Sequence, residues 1–370
     1  MFKLSVERIP LDPTQDLASA PTFSRLEHSM TRPDLYRLTQ AFVDHFIASY
    51  PEPPAAIVLD IDHSADPTYG QQEFAFYNHH YQSYCYLPLF IFEGTSHAMV
   101  TACLRPGKRP PGAENAMILV RLLSYLRRRW PYTHILVRGD SHFATPEVLA
   151  VLTQRRWVDV VFGLAGNPVL LRQAGPVMEE ARSLFRQQTV VAAAYGEPPP
   201  ASSRVYEDFP YAAASWAQPW RVIVKAEVMA AGDNPRFVVT SLEAPSPQQI
   251  YEDLYCARGN CENDIKAVKC DLHSDRTSDT TFLANATRLL LACGAYVLHH
   301  ALRTHTLAHT ALATAQPSTV MLTLFKVATH VKQYKDRILL HLPTSCPVKA
   351  LLQRVTTLLR AIPVPTMNTS

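Results

Sequence analysis

The chain has 370 residues, 47% hydrophobic and 18% charged, with a net charge of only +3; this composition builds globular cores and excludes a disordered chain. No apolar run reaches the roughly 18 residues that a membrane span needs, and "MFKLSVERIPLDPTQD" lacks the apolar stretch of a secretory signal. Seven cysteines without a CxxC pair point to a reducing, cytosolic protein rather than a disulfide framework or zinc ribbon, and the His pairs at 79–80 and 299–300 have no companion such as HExxH.

Taken in order, residues 1–32 read as largely irregular. "RPDLYRLTQAFVDHFIASY" then sets Leu35, Leu38, Phe42 and Phe46 at helical spacing, and "PEPP" ends an N-terminal helical segment, 1–54. "AAIVLDID" (55–62) is an apolar run ending in carboxylates, as expected of a buried strand. Aromatic-rich alternation through "YCYLPLFIFEG" and then "SHAMVTACL" predicts further strands, "AENAMILVRLLSYLRRRW" a helix, "THILVRGDS" another strand ending in an acid, "PEVLAVLTQRR" a short helix and "VDVVFGLA" a strand. The predicted order βββαβαβ over 55–165 is that of an α/β mixed sheet flanked by helices. Residues 166–243, with "WRVIVKAEVM" and "PRFVVTSL", read as an inserted β-rich subdomain. Helical signals return over 244–345, and 346–370 reads as a C-terminal tail. The usual nucleotide and hydrolase cradles, GxxxxGK[ST], GxGxxG and GxSxG, are absent from the sequence.

Charge is unevenly spread. Between Arg105 and Arg138 eight Arg or Lys face one acid, Glu114; between Val320 and Arg360 seven face one acid, Asp336. Clusters of this kind favour a polyanionic partner, although a solvated helix face accounts for either one alone.

Asp60 and Asp62 are two apart on a strand and so share a face. Acids at a strand end are often only the place where a sheet meets water. Asp140, however, ends a later strand in the same way. If the two strands lie parallel and adjacent, both acids reach the edge where open α/β sheets place their chemistry. Such acids repel unless a cation lies between them, and Mg²⁺, which takes few carboxylates plus water and phosphate oxygens, suits the position. A third acid would allow a two-metal site for phosphodiester chemistry. "YCARGNCENDIKAVK" (255–269) supplies one: at helical pitch Tyr255, Arg258, Glu262 and Lys269 fall within an arc of about 60°, with Lys266 close by. An apolar stripe of Leu254, Cys261, Ile265, Val268 and Leu272 runs alongside. Gly259 disfavours a helix there by about 1 kcal/mol, so the helix is expected to start after it.

The spacing Tyr255, Arg258, Glu262, Lys269 resembles the Y-(2)-R-(3)-E-(6)-K signature of the IS4-like DDE transposases. More closely, "LDIDHSADPTYGQQ", "YCYLPLFIFEG", "RRRWPYTHILVRGDSHFA", "NPRFVVTSL", "YCARGNCENDIKAVKCDLHSDRTS" and "FLANATRLLLACGAYVL" resemble the IS1380 family of insertion-sequence transposases, over about residues 17 to 348. The resemblance implies an RNase H-like catalytic core with a β-rich insertion before the glutamate helix. It implies a metal-binding triad of Asp62, Asp140 and Glu262, with Asp62 favoured over Asp60 because the family form is D-x-[ST], and Asp60 left as a secondary candidate. Tyr255, Arg258 and Lys269, with Lys266 and Arg138, would hold DNA phosphates. The implied reaction is strand cleavage that exposes a 3′-OH, followed by its transfer to target DNA. Two Mg²⁺ ions, replaceable by Mn²⁺, would serve it. The implied partners are double-stranded transposon ends and target, and a second copy of the chain in a synaptic homodimer, in the cytoplasm and at the nucleoid, with no membrane. The family also implies a longer helical end-binding region ahead of "LASAPTFSRLE". Residues 1–54 therefore read as a truncated part of it, and a remnant that nicks or only binds DNA is the alternative function. His142 stands where a small residue is expected.

Overall fold

The computed structural model describes residues 2–6, 19–334 and 338–361. Lys335 and Arg337 of the second basic cluster lie outside the described residues, as do residues 362–370 of the expected tail. The chain divides into two compact units: residues 39–68 with 74–265, and residues 1–38 with 69–73 and 266–370.

The first unit is built on a large mixed sheet. Its strands are β1 (Ala56–His63), β2 (Leu89–Glu93), β3 (Met99–Cys103), β4 (His134–Gly139), β5 (Val158–Leu164), β6 (Ser202–Tyr211), β7 (Trp220–Met229) and β8 (Arg236–Thr240). They lie in the order β6-β7-β8-β5-β4-β1-β2-β3. Strand β1 runs parallel to β4, and β4 to β5; every other neighbouring pair is antiparallel. Three antiparallel strands followed by two parallel ones, with helices on the crossovers, make the expected α/β mixed sheet flanked by helices.

Helical segments cover both faces, which is why the central strands are largely buried, with Asp60 and Arg138 as buried charged exceptions. On one face, Ile57, Leu59 and Ile61 of β1, Ile135 and Val137 of β4, and Val160 and Phe162 of β5 form a core with α1 (Gly112–Arg129) and α2 (Pro146–Thr153). Helix α1 contributes Ala116, Leu119, Leu122, Leu123 and Leu126, the three-and-four spacing of a buried stripe. Helix α2 starts where the Thr145 hydroxyl accepts from the Val148 amide, with Pro146 in its first turn. Opposite this core, Val161, Ile223 and Val238 pack against Ile250 and Tyr251. Even-numbered residues of β1 and β4 therefore face the segment that leads to Glu262.

The expected β-rich insertion opens instead with two helices, α3 (Pro168–Gln173) and α4 (Gly175–Ala194), before the strands β6 to β8. Those strands extend the central sheet from its β5 edge. Asn167 caps α3, accepting from the amides of Val169 and Leu170, and Val177, Met178 and Ala181 of α4 enter the same core as α1.

The second unit contains a three-stranded antiparallel sheet of Phe2–Val6, Ile338–Leu342 and His330–Gln333. Its long helix, Phe282–Ala301, buries Ala284, Asn285, Leu289, Cys293 and Tyr296. Among the described residues, Phe282–Thr306 is the stretch long and apolar enough to cross a membrane, with a mean hydropathy of 1.2, and half of it is buried inside the protein. Its buried face, which includes Asn285 and Thr287, is that of a core helix.

Candidate active site

Register brings the first two acids together. Asp60 lies directly across from Arg138, and Ile61 from Gly139, so Asp62 and Asp140 stand one step further on, at the ends of adjacent parallel strands. Glu262 comes from α5 (Gly259–Lys266), whose Cys261 and Ile265 are buried. The chain enters this helix through a π-helical turn, Ile250–Tyr255, and a tight turn, Cys256–Arg258. The helix runs through Gly259 in right-handed geometry, with φ −54 and ψ −21, rather than starting after it. A Cβ there would meet only open space.

Arg258 ties the constellation together. Its Nη1 donates to Asp62 Oδ2 at 2.9 Å and its Nη2 to Glu262 Oε1 at 3.0 Å. Its guanidinium also lies 5.9 Å from the Tyr255 ring centre. Tyr255 rests on Gly163 of β5: a Cβ added there would lie 2.5 Å from the tyrosine hydroxyl and 3.2 Å from the Ser141 amide. Asp264, on the same helix as Glu262, pairs with His97 of the β2–β3 turn at 2.9 Å.

The two aspartates are poised differently. Burial pushes the Asp62 carboxyl up from 3.8 to about 6, and the charges of Asp140 and Glu262 add to this against the opposing pull of Arg258. Burial also acts to raise Asp140, but His142 more than reverses it, leaving that carboxyl below its ordinary value. The His142 amide donates to Asp140 Oδ1 at 2.9 Å and its Nδ1 lies 2.6 Å from Oδ2. Environments that push neighbouring acids apart in this way are a feature of reactive sites.

Asp60 is fully buried and its carboxylate receives two hydrogen bonds from Arg138, at 2.6 and 2.7 Å. Arg138 also donates to the Leu254 carbonyl at 2.9 Å. This corrects the expectation that Arg138 meets DNA: with its side chain 5% exposed and its donors spent inward, it locks β1 and β4 to the segment leading into α5. Asp60 is its counter-ion. The expected cluster from Arg105 to Arg138 is thus not one surface. Arg105 is buried, bonded to the Leu87 carbonyl and Asn115. Lys108 and Arg109 line a cavity of about 390 Å³ with His63, His79, His80 and His142. Lys266 and Lys269 belong to the second unit.

His97, Gly163 and the histidine-lined cavity were not anticipated from sequence, and His142 was noted only as standing where a small residue is expected. His97 and Asp264 are 167 positions apart, and nothing local signals their pairing.

Hard oxygen donors on two strand ends and a helix are the chemistry that a small divalent cation takes. The high Asp62 carboxyl is first a mark of burial, to which the neighbouring Asp140 and Glu262 charges add. Among the described residues, no three His, Cys, Asp or Glu side chains converge as a preformed metal cage; the Arg258 guanidinium spans Asp62 and Glu262 instead. The donor set fits a divalent ion if Arg258 withdraws from both acids.

A search of curated proteins finds no match. Among solved structures, the chain is similar to one described as the cryo-EM structure of a piggyBac transposase synaptic complex with hairpin DNA, at a TM-score of 0.39 and 11% identity. That similarity covers 96% of this chain and 66% of the other, so the chain spans slightly less than two thirds of that protein's length. The family model for Transposase DDE domain group 1 matches residues 1–364, and the chain belongs to that family.

Proposed function

We propose that the protein is a DDE transposase of the IS1380 type, cutting DNA strands at an insertion-sequence end and joining the freed 3′-OH to target DNA. Asp62, Asp140 and Glu262 are its catalytic acids. The observation that carries this reading is the placement of Asp62 and Asp140 at adjacent parallel strand ends, with Arg258 linking Asp62 to Glu262. Divalent ions, two Mg²⁺ with Mn²⁺ as substitute, would be held by these three carboxylates and would polarise the scissile phosphate and its attacking oxygen.

The chain's own residues do the rest. The guanidinium of Arg258, a fork suited to phosphate, exchanges Asp62 and Glu262 for a backbone phosphate, releasing both acids. Tyr255, steadied against Gly163, orients that phosphate by its hydroxyl, and Lys266 and Lys269 add charge along the strand. His142 keeps Asp140 ionised and fixed. Asp60 and Arg138 hold the strand ends in register with the helix. Synapsis of two ends requires at least two protomers or two sites; the working form in this reading is a homodimer on double-stranded DNA, in the cytoplasm and at the nucleoid.

The test uses a supercoiled plasmid carrying the element ends, a target plasmid and Mg²⁺. Asp140→Asn and Glu262→Gln should each abolish nicking and joining while tryptophan emission stays native. Joined product formed by either variant would overturn the triad. Cleavage without joined product by the unsubstituted chain would instead favour a cutting remnant.

A further inference from the structure

The edge of the sheet away from the acids carries a second concentration of charge. Helix α1 ends at Arg129, and β4 begins at His134; α2 ends at Thr153, and β5 begins at Val158. Both connections lie at the N-terminal ends of β4 and β5, whereas Asp140 follows the C-terminal end of β4. They bring together Arg127, Arg128, Arg129, Arg155 and Arg156. The Arg127 guanidinium lies 3.7 Å from the Trp157 ring centre, joining the two connections, and those of Arg128 and Arg129 lie 5.3 Å from the Tyr125 ring centre. Tyr132, in the first connection, is 96% exposed. The nearby acids are few: Asp44 lies 3.7 Å from Arg129, Asp159 pairs with His134, and Glu52 precedes β1. Among the described residues, no carboxylate pairs with Arg127, Arg128, Arg155 or Arg156.

We propose that this arginine edge is a binding surface for the backbone of double-stranded DNA, separate from the acid-bearing edge. Cations at a helix C-terminus ease its dipole, but adjacent like charges at two helix ends repel one another, and that cost is recovered only against a polyanion. Arg127 is turned inward, with its Nη1 donating to the Pro131 carbonyl and its Nε and Nη2 buried, and Arg155 donates to the Val151 carbonyl; the exposed forks of Arg128, Arg129 and Arg156 are the ones that match phosphate geometry. An exposed tyrosine beside them offers a further hydroxyl donor. Strand β4 has six residues, so the arginine edge stands roughly 20 Å from Asp140. At about 3.4 Å per base pair a duplex advances that distance in about six base pairs, so the arginines meet phosphates well outside the ones at the acids.

The test measures duplex binding by the full chain against salt concentration, using fluorescence anisotropy. Arg128→Gln, Arg129→Gln and Arg156→Gln combined should lower the slope of log K against log salt by roughly 0.9 per arginine that meets a phosphate, about 2.7 for all three, and weaken binding more than about tenfold near 0.1 M salt. The triple lysine variant, which keeps charge but loses ring stacking, should retain most of the slope. An unchanged slope in the glutamine variant would overturn the inference, as would a lysine variant as weak as the glutamine one. Loss of binding confined to polyglutamate would reassign the surface to an acidic protein segment. The inference fails separately from the catalytic reading: the variant Asp62→Asn, Asp140→Asn, Glu262→Gln should keep the arginine-dependent part of the slope whether or not the unsubstituted chain cuts DNA.

Discussion

Asp62→Asn is expected to stabilise the protein in the absence of divalent ions. The carboxyl sits beside two other acids with its side chain 13% exposed, and burial raises it from 3.8 to about 6. At about 1.36 kcal/mol per pH unit, that span corresponds to about 3 kcal/mol. The folded state binds this proton more tightly than the unfolded state, so the contribution is fully present below about pH 4 and is lost as pH rises through about 6. Asparagine carries no such dependence and can still accept from Arg258. Urea unfolding followed by tryptophan emission reads the relevant unit, because all four tryptophans, Trp130, Trp157, Trp216 and Trp220, lie within it. The variant should match the parent near pH 4 and exceed it by up to about 3 kcal/mol at pH 7.5. Millimolar Mg²⁺ should narrow the gap by neutralising the parent's surplus charge. A difference equal at both pH values, or an asparagine variant less stable at pH 7.5, would refute the reasoning.

Three further outcomes follow from the same geometry. Arg138→Leu leaves the Asp60 carboxylate buried without its partner and should cost about 3–5 kcal/mol in urea unfolding; adding Asp60→Leu should recover much of it, and a double variant no better than the single would contradict the pairing. Gly163→Ala forces Tyr255 off the sheet and should cost about 1–3 kcal/mol with a marked loss of strand cleavage, whereas an active, fully stable variant would show that the contact is dispensable. Gly259→Ala, at a helical position with free space, should gain up to about 1 kcal/mol in the same titration, and a loss would mean that the helix does not pass through that residue.

The strand ends were readable because "AIVLDID" and "ILVRGD" are apolar runs stopped by acids, and one sheet edge was the natural place for their chemistry. Their adjacency was not readable, since pairing partners lie about eighty residues apart. The misreading of Arg138 has a specific origin. A cation two residues before an acid looks like a phosphate ligand, but Asp60 stands at the same offset before Asp62. In parallel strands with those acids aligned, equal offsets set Asp60 against Arg138, and that symmetry was the available signal. The helices α3 and α4 were overlooked beside the strongly β-branched strands that follow, although Asn167 and Pro168 form a recognisable helix start. The helix angle argument held from Arg258 to Glu262, four residues apart in one regular turn. For Lys269 it did not apply as drawn, because the chain passes into another π-helical turn at Ala267 and no longer advances at 100° per residue.

The π-helical turn before Arg258 gives the chain ahead of the triad glutamate an unusual tolerance to length change. Ile250 and Tyr251, at its start, are fixed in the core, and the turn accommodates one residue more than a regular helical turn. Deleting a single residue between Tyr251 and Tyr255 would let the turn relax into ordinary helix and leave both flanking segments intact. Because one turn of either geometry closes a full circle, the downstream phase would be nearly kept and Glu262 would stay on the side of Asp62, whereas the same deletion between Arg258 and Glu262, in regular helix, would rotate Glu262 by about 100° away from it. A one-residue length change is therefore absorbed on one side of Arg258 and disruptive on the other, so the spacing from Arg258 to Glu262 is the one that has to be exact.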